Sequence, residues 1–456
     1  MAAAGTVAAR WESKAPKMGF VGFFDGLRGV GVAMVLIGHA LFEYLESWVT
    51  IVDTFFVISG FLITTLLLQE SRSTGSISLR KFFSRRAIRL LPTVWLSVSV
   101  WLVIGAIGQA VGIKGLTFVE VLKDGAAAVT YVYHVFFPNG LYMIHPGQQD
   151  KRTMWHLWTL SVEEHFYLVI PGLVLWCIRR NWIKALGWGM GVGAVAIGVA
   201  RLLAYTGPAM SAGTPSGIRL AFLQRPDALM LGVAVAILNA HFTEEALARY
   251  RRPVVTAGWV GFAMWFAALN LSNGIIERIG GPFFEYLPST PAQATHEAMT
   301  HHWYWYRFGH SLGAIGFALL MFSLYRFPGN WLDRLLSWEP FRWVGRLSYT
   351  LYVWHALPYV VILALTNGDD ATPTMKLLRT PVLMLAAFAV SMPVYYKVEL
   401  KVMAMKLRFA SEKETLDLLT GKMVETPGGP TSGSPTSGGP TSDGAGDGGG
   451  RGADRT

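Results

Sequence analysis

Residues Phe23–Phe42, FFDGLRGVGVAMVLIGHALF, decide the fold. The run is apolar over roughly the ~20 residues needed to cross ~30 Å of hydrocarbon. It nevertheless carries Arg28 and His39. At ~100° per residue their spacing brings them to within ~20° of one helical face, about 16 Å apart along the axis. A charged side chain at the centre of a membrane helix costs at least ~2.5–3.5 kcal/mol, and such residues usually face the bundle interior and mark function. Two readings fit this helix equally. A cytoplasmic anion with a long arm touches both residues, or Arg28 snorkels to lipid phosphates while His39 is bonded inside the bundle.

The rest of the chain agrees with a membrane setting. Of its 456 residues 52% are hydrophobic, 13% are aromatic and only 15% are charged. A soluble globular chain carries about 25% charged residues, so this chain would need an unusual interior to hide its apolar surface. The net charge of +10 reads as cytoplasmic loop charge and not as a nucleic-acid footprint. Cys177 is the only cysteine, which excludes disulfides within the chain and metal sites built on paired cysteines. The first residues lack the short apolar core and cleavage site of a signal peptide, so the first apolar run is expected to be a retained helix.

About eleven apolar stretches follow one another: 29–45, 50–68, 90–112, 116–137, 157–177, 182–204, 217–240, 253–272, 308–326, 343–366 and 378–397. The weak one, 116–137, contains Glu120, Lys123 and Asp124. If it does not cross, every basic cluster falls on the cytoplasmic side: Arg72 to Arg89, Arg179 to Lys184, Arg249 to Arg252, Arg334 to Arg346, and Lys401 to Arg408. The sequence therefore predicts an all-α polytopic membrane protein of about ten transmembrane helices with both termini cytoplasmic. The predicted parts are a cytoplasmic segment 1–19, a membrane domain 20–408 and a disordered Gly/Pro/Thr/Ser-rich tail 409–456.

Other polar residues stand out in or beside these spans. Ser59-Gly60 suits close helix packing. Arg86 and Arg89, spaced i, i+3, and Arg85 and Arg89, spaced i, i+4, form either a fork for phosphates or a positive-inside anchor. Glu163 and Glu164 interrupt an apolar run, and adjacent buried acids are hard to explain as packing. His156, Glu163 and Tyr167 share one helical face by spacing. Arg225 and Asp227 read as an internal salt bridge near a helix end. Ser348, Tyr352 and His355 lie on nearly one face, where His355 fits a structural or a catalytic role.

In order along the chain, these segments resemble acyltransferase family 3, the bacterial membrane O-acyltransferases. The likeness rests on Asp25-Gly26-Leu27-Arg28-Gly29 with His39 beyond it, Phe55 to Leu62, and Arg86 with Arg89. It continues with His156 to Glu164 followed by Phe166-Tyr167, then Gly345 to Tyr349 and Trp354-His355. His165 stands where the family usually has Gln, and Ala356 departs from the usual ending. The resemblance implies a ten-helix bundle in the cell membrane. It implies transfer of an acyl group, commonly acetyl, from acyl-CoA to a hydroxyl of a glycan, glycolipid or glycosylated small molecule, without a metal or nucleic acid. His39 would be catalytic, Arg28, Arg86, Arg89 and Arg85 would bind the donor, and Glu163 or Glu164 would orient His39. Asp25, Ser59, His156, Tyr167, Arg225, Asp227 and His355 would bind substrate or support the site. The alternative is a proton-coupled transporter using the same Arg, His and Glu residues.

Overall fold

The computed structural model describes residues 11–41, 45–113, 116–136, 153–204, 225–270, 296–365 and 372–405, with two short strands beyond them. The bundle runs α1 (Gly22–Ala40), α2 (Ile51–Thr74), α3 (Leu79–Ala110), α4 (Phe118–Val129), α5 (Tyr133–Phe136) and α6 (Trp158–Arg179). It continues with α7 (Ile183–Ala204), α8 (Pro226–Ala240), α9 (Glu244–Ala248), α10 (Arg251–Asn270), α11 (His296–Arg326) and α12 (Trp331–Leu336). The last helices are α13 (Glu339–Trp354), α14 (Ala356–Leu365), α15 (Pro373–Val394) and α16 (Leu400–Met405), with a π-helical turn Tyr395–Glu399 joining the final two.

Among the described residues, 8 helices are long and apolar enough to cross a membrane. Helix α8, at 15 residues, is shorter; the first part of its predicted stretch, 217–224, lies outside the described residues. Helix α4 has 12 residues, about 18 Å by helical rise and too short for a crossing. The apolar stretch 343–366 forms two helices, not one. Pro358 has no N–H to offer the Trp354 carbonyl, and the helix breaks at His355.

Helix α1 begins earlier and ends earlier than its apolar stretch suggests. Phe23, Phe24 and Leu27 are buried on either side of Asp25, so its first turns belong to the bundle despite their charge. At Leu41 the backbone leaves the helical region with φ −128° and ψ 36°. His39 therefore lies in the last turn of α1 and not midway along it.

Close backbone contacts fix how α1 meets its neighbours. A Cβ on Gly26 would strike the Leu336 carbonyl, one on Gly29 the Phe341 carbonyl, and one on Gly345 the Asp25 carbonyl. Helices α2 and α8 cross in the same way, with Gly60 facing the Leu229 carbonyl and Gly232 the Val57 carbonyl. The packing role read for Ser59-Gly60 thus falls to the glycine. Gly345→Val is expected to lower stability by at least about 1–3 kcal/mol, because added volume meets backbone that cannot rotate away. Thermal unfolding in detergent would show it, and an unchanged midpoint would contradict this packing.

The N-terminal segment lies against helix ends. Lys14 N–H donates to the Ala240 carbonyl at 2.7 Å, and Arg72 donates to the Ala15 carbonyl at 3.0 Å. Within the predicted tail, Glu414–Leu416 pairs antiparallel with Met423–Glu425, so strand-forming residues such as Thr415 and Val424 precede the Pro-Thr-Ser-Gly repeats. The repeats lie outside the described residues.

Candidate active site

Helices α1, α2, α3, α6 and α13 enclose a cavity that offers about 140 Å³ to the centres of water-sized molecules. Its charged wall is formed by Arg28, Arg86, Arg89 and Glu163, and Ser59, Tyr167, Tyr349 and Tyr352 also line it. The helices deliver these residues for local reasons. The glycine contacts between α1 and α13 set Arg28 beside the Ser348–Tyr349 turn. Ser78 caps α3 by accepting a hydrogen bond from the Lys81 N–H, so α3 starts well before its apolar part and carries the basic segment as helix. Tyr349 then ties α13 to α3 by donating to the Leu90 carbonyl at 2.6 Å.

The two adjacent acids point to different partners. Glu163 accepts from the Ser59 hydroxyl at 2.8 Å. Glu164 accepts from Arg86 at 2.6 Å, and the Arg86 guanidinium sits 3.4 Å from the Tyr167 ring centroid. A paired acid and a stacked ring hold Arg86 in place on two sides. Arg28 and Arg89 have no hydrogen bond or ion pair among the described residues. Asp25 lies within electrostatic reach of Arg28, Arg342, Arg346 and Arg89.

Arg85, expected beside Arg86 and Arg89, turns away. It bonds Glu70 at 3.2 Å and does not line the cavity. The helix rotates it off the face shared by Arg86 and Arg89, so it anchors α3 to α2.

His39 also has a different neighbour from the one expected. Its Nδ1 lies 2.9 Å from Nε2 of His355, and the rings stack with centroids 5.0 Å apart. Trp155 packs edge-on against His39 at 4.7 Å. The hydrogen bonds of Glu163 and Glu164 go to Ser59 and Arg86, so neither orients this imidazole. The two histidines meet where the last turn of α1 faces the C-terminal end of α13.

His156 joins this group rather than the cavity face of α6. It belongs to a 3-10 turn, Trp155–Leu157, that precedes the helix, so helical spacing to Glu163 and Tyr167 does not apply. Its Nε2 lies 3.3 Å from the Val353 carbonyl, and its ring packs against His355 at 4.8 Å. Tyr352 links the two regions. Its hydroxyl lines the cavity and donates to the His156 carbonyl. Thr159 is then the donor in its 2.6 Å contact with Tyr352, because a phenol has one proton to give.

Arg225 and Asp227 do not pair with each other. Arg225 bonds Asp53 at 3.1 Å, while Arg201 grips both carboxylate oxygens of Asp227, at 3.0 and 2.8 Å. His310 also bonds Asp53, at 2.7 Å. With Arg225 at φ 48°, its side chain is directed toward α2 instead of along α8. These buried pairs knit α2, α7, α8 and α11. Asp53, Arg201 and His310 were not singled out in the sequence, although ionisable residues in apolar runs invite such attention. Among the described residues, no three His, Cys, Asp or Glu side chains are placed to hold a metal ion.

A family described as an acyltransferase domain matches residues 21–396. The chain is 28% identical over 347 residues to a protein of Staphylococcus aureus strain COL with a provisional O-acetyltransferase name, covering 75% of this chain and 51% of that one. It is 26% identical over 344 residues to the peptidoglycan O-acetyltransferase OatA of Listeria monocytogenes serovar 1/2a, covering 74% and 49%. Identity to the O-acetyltransferase OatA of Staphylococcus aureus strain NCTC 8325 is 27% over 341 residues, covering 73% and 49%. The chain thus spans about half the length of the curated relatives it matches. No solved structure matches it.

Proposed function

The chain belongs to the acyltransferase family that matches it over residues 21–396, and from that premise we propose a membrane-bound O-acyltransferase that moves an acetyl group from acetyl-CoA to a hydroxyl of a glycan, glycolipid or glycosylated small molecule. One observation carries the donor assignment. Arg28, Arg86 and Arg89 converge on a single cavity, and among the described residues only Arg86 of the three has a carboxylate partner. Guanidinium groups are well matched to phosphate oxygens, and acyl-CoA presents phosphates at one end of a long arm.

The eight long helices, with α8 and the α13–α14 pair, supply about ten crossings with both termini cytoplasmic. The arginines then stand near the cytoplasmic ends of α1 and α3, and His39 stands at the far end of α1. The pantetheine arm runs up the cavity past Tyr352 toward His39. Neutral imidazole takes the proton of the acceptor hydroxyl. The oxygen attacks the thioester carbonyl, the carbon–sulfur bond breaks, and the departing thiolate takes the proton back from the imidazolium.

The test is comparative mass spectrometry of the glycan and lipid fractions from cells with and without the gene, together with acetyl-CoA binding by the purified protein. An acetyl mass lost from one fraction and saturable binding are expected. Unchanged fractions with no acetyl-CoA binding would favour proton-coupled transport by the same buried residues.

A further inference from the structure

The donors and acceptors around His355 admit one arrangement for neutral rings. The Nδ1 of His355 lies 2.8 Å from the Tyr352 carbonyl, and a carbonyl can only accept, so this nitrogen carries the proton. The Nε2 of neutral His355 is then a bare acceptor. The Nδ1 of His39, 2.9 Å away, must supply the hydrogen. That leaves the Nε2 of His39 without a proton, holding the lone pair a general base needs.

We propose that His355 is a positioning residue for His39: a backbone carbonyl, His355 and His39 form a relay that fixes the His39 tautomer with its Nε2 unprotonated. This rests on the acyl-transfer reading for its purpose but on hydrogen-bond geometry for its existence. The ordinary partner in such relays is a carboxylate. Here a neutral imidazole fills the place, and when His39 takes a proton at Nε2 the same bond stabilises the cation.

The surroundings keep His355 in register. Its ring is buried, with His156 packed edge-on on one side and Tyr359 at 5.6 Å on another. Tyr359 donates its hydroxyl to the Leu36 carbonyl at 2.8 Å, tying the segment after the helix break to α1 three residues before His39. His156 is committed elsewhere by its contact with the Val353 carbonyl.

Ring ¹⁵N spectra of the full chain, labelled with ¹⁵N-histidine and held in lipid nanodiscs near neutral pH, test this directly. His39→Asn identifies the His39 signals by their loss. The wild type is expected to show Nδ1 protonated and Nε2 bare. In His355→Leu the Nε2–H form, which free neutral histidine prefers, should take over. His355→Gln, whose amide oxygen can accept the Nδ1–H, should restore the wild-type pattern. A second readout is labelled acetyl incorporation from acetyl-CoA in membranes expressing each variant. His355→Leu should lower kcat about 100-fold with KM within about twofold, and His355→Gln should recover at least about tenfold of that loss.

A wild-type His39 protonated at Nε2, or a tautomer unmoved by His355→Leu, would overturn the relay even if His355→Leu itself misfolds, since the first result needs no variant. The expected spectra in a protein that neither binds acetyl-CoA nor transfers acetyl groups would instead overturn the acyl-transfer reading and leave the relay standing.

Discussion

Replacing His39 with alanine is expected to lower acetyl transfer by about 10²–10⁴-fold while leaving acetyl-CoA affinity within about threefold of wild type. The separation follows from position. His39 does not line the arginine-walled cavity, so phosphates docked there as proposed would keep their partners. On the proposed mechanism, loss of the imidazole removes the group that takes the hydroxyl proton and returns it to the thiolate. His39 is only half-buried in the last turn of α1, so the truncation leaves little enclosed void. Isothermal titration with acetyl-CoA and labelled acetyl incorporation measure the two quantities. Wild-type transfer by the purified His39→Ala protein would remove His39 from the chemistry.

The second large effect is expected at the cationic end. Arg28→Gln combined with Arg89→Gln should weaken acetyl-CoA binding at least about 100-fold. Each charged hydrogen bond contributes about 1.5–3 kcal/mol, and every 1.4 kcal/mol is tenfold. These two arginines are the informative pair because neither holds a protein carboxylate among the described residues. Arg86→Ala would mix lost binding with a Glu164 stripped of its partner. The loss should shrink as salt rises, since part of the wild-type attraction is screened. Unaltered affinity in the double variant would mean that the phosphates dock elsewhere.

Helices built from one apolar run were legible in the sequence. The stretch 182–204 became Ile183–Ala204, and 253–272 became Arg251–Asn270. Errors came where charge and apolarity disagree. Asp25 and Arg28 concealed the first turns of α1, and the basic segment before Arg89 concealed those of α3. The break at His355 was hidden because Pro358 lies inside an otherwise apolar run.

The site was legible by residue type and not by pairing. Helical spacing puts Arg86 and Arg89 on a shared face, and both line the cavity. It cannot say which distant helix meets that face. The partners of His39 and Arg225 come from 316 and 172 residues away, and those matches are set by helix crossings in three dimensions. Two neighbouring acids with unrelated partners, Glu163 and Glu164, illustrate the same limit.

The glycine contacts that join α1 to α13 have a mechanical consequence. Backbone touches backbone at two places between them, Gly29 against Phe341 and Gly345 against Asp25, so the helix that carries His39 and the one that leads into His355 behave as a single stiff post. A tilt of either helix is expected to carry the other with it, so that His39 keeps its distance from the segment that leads into His355.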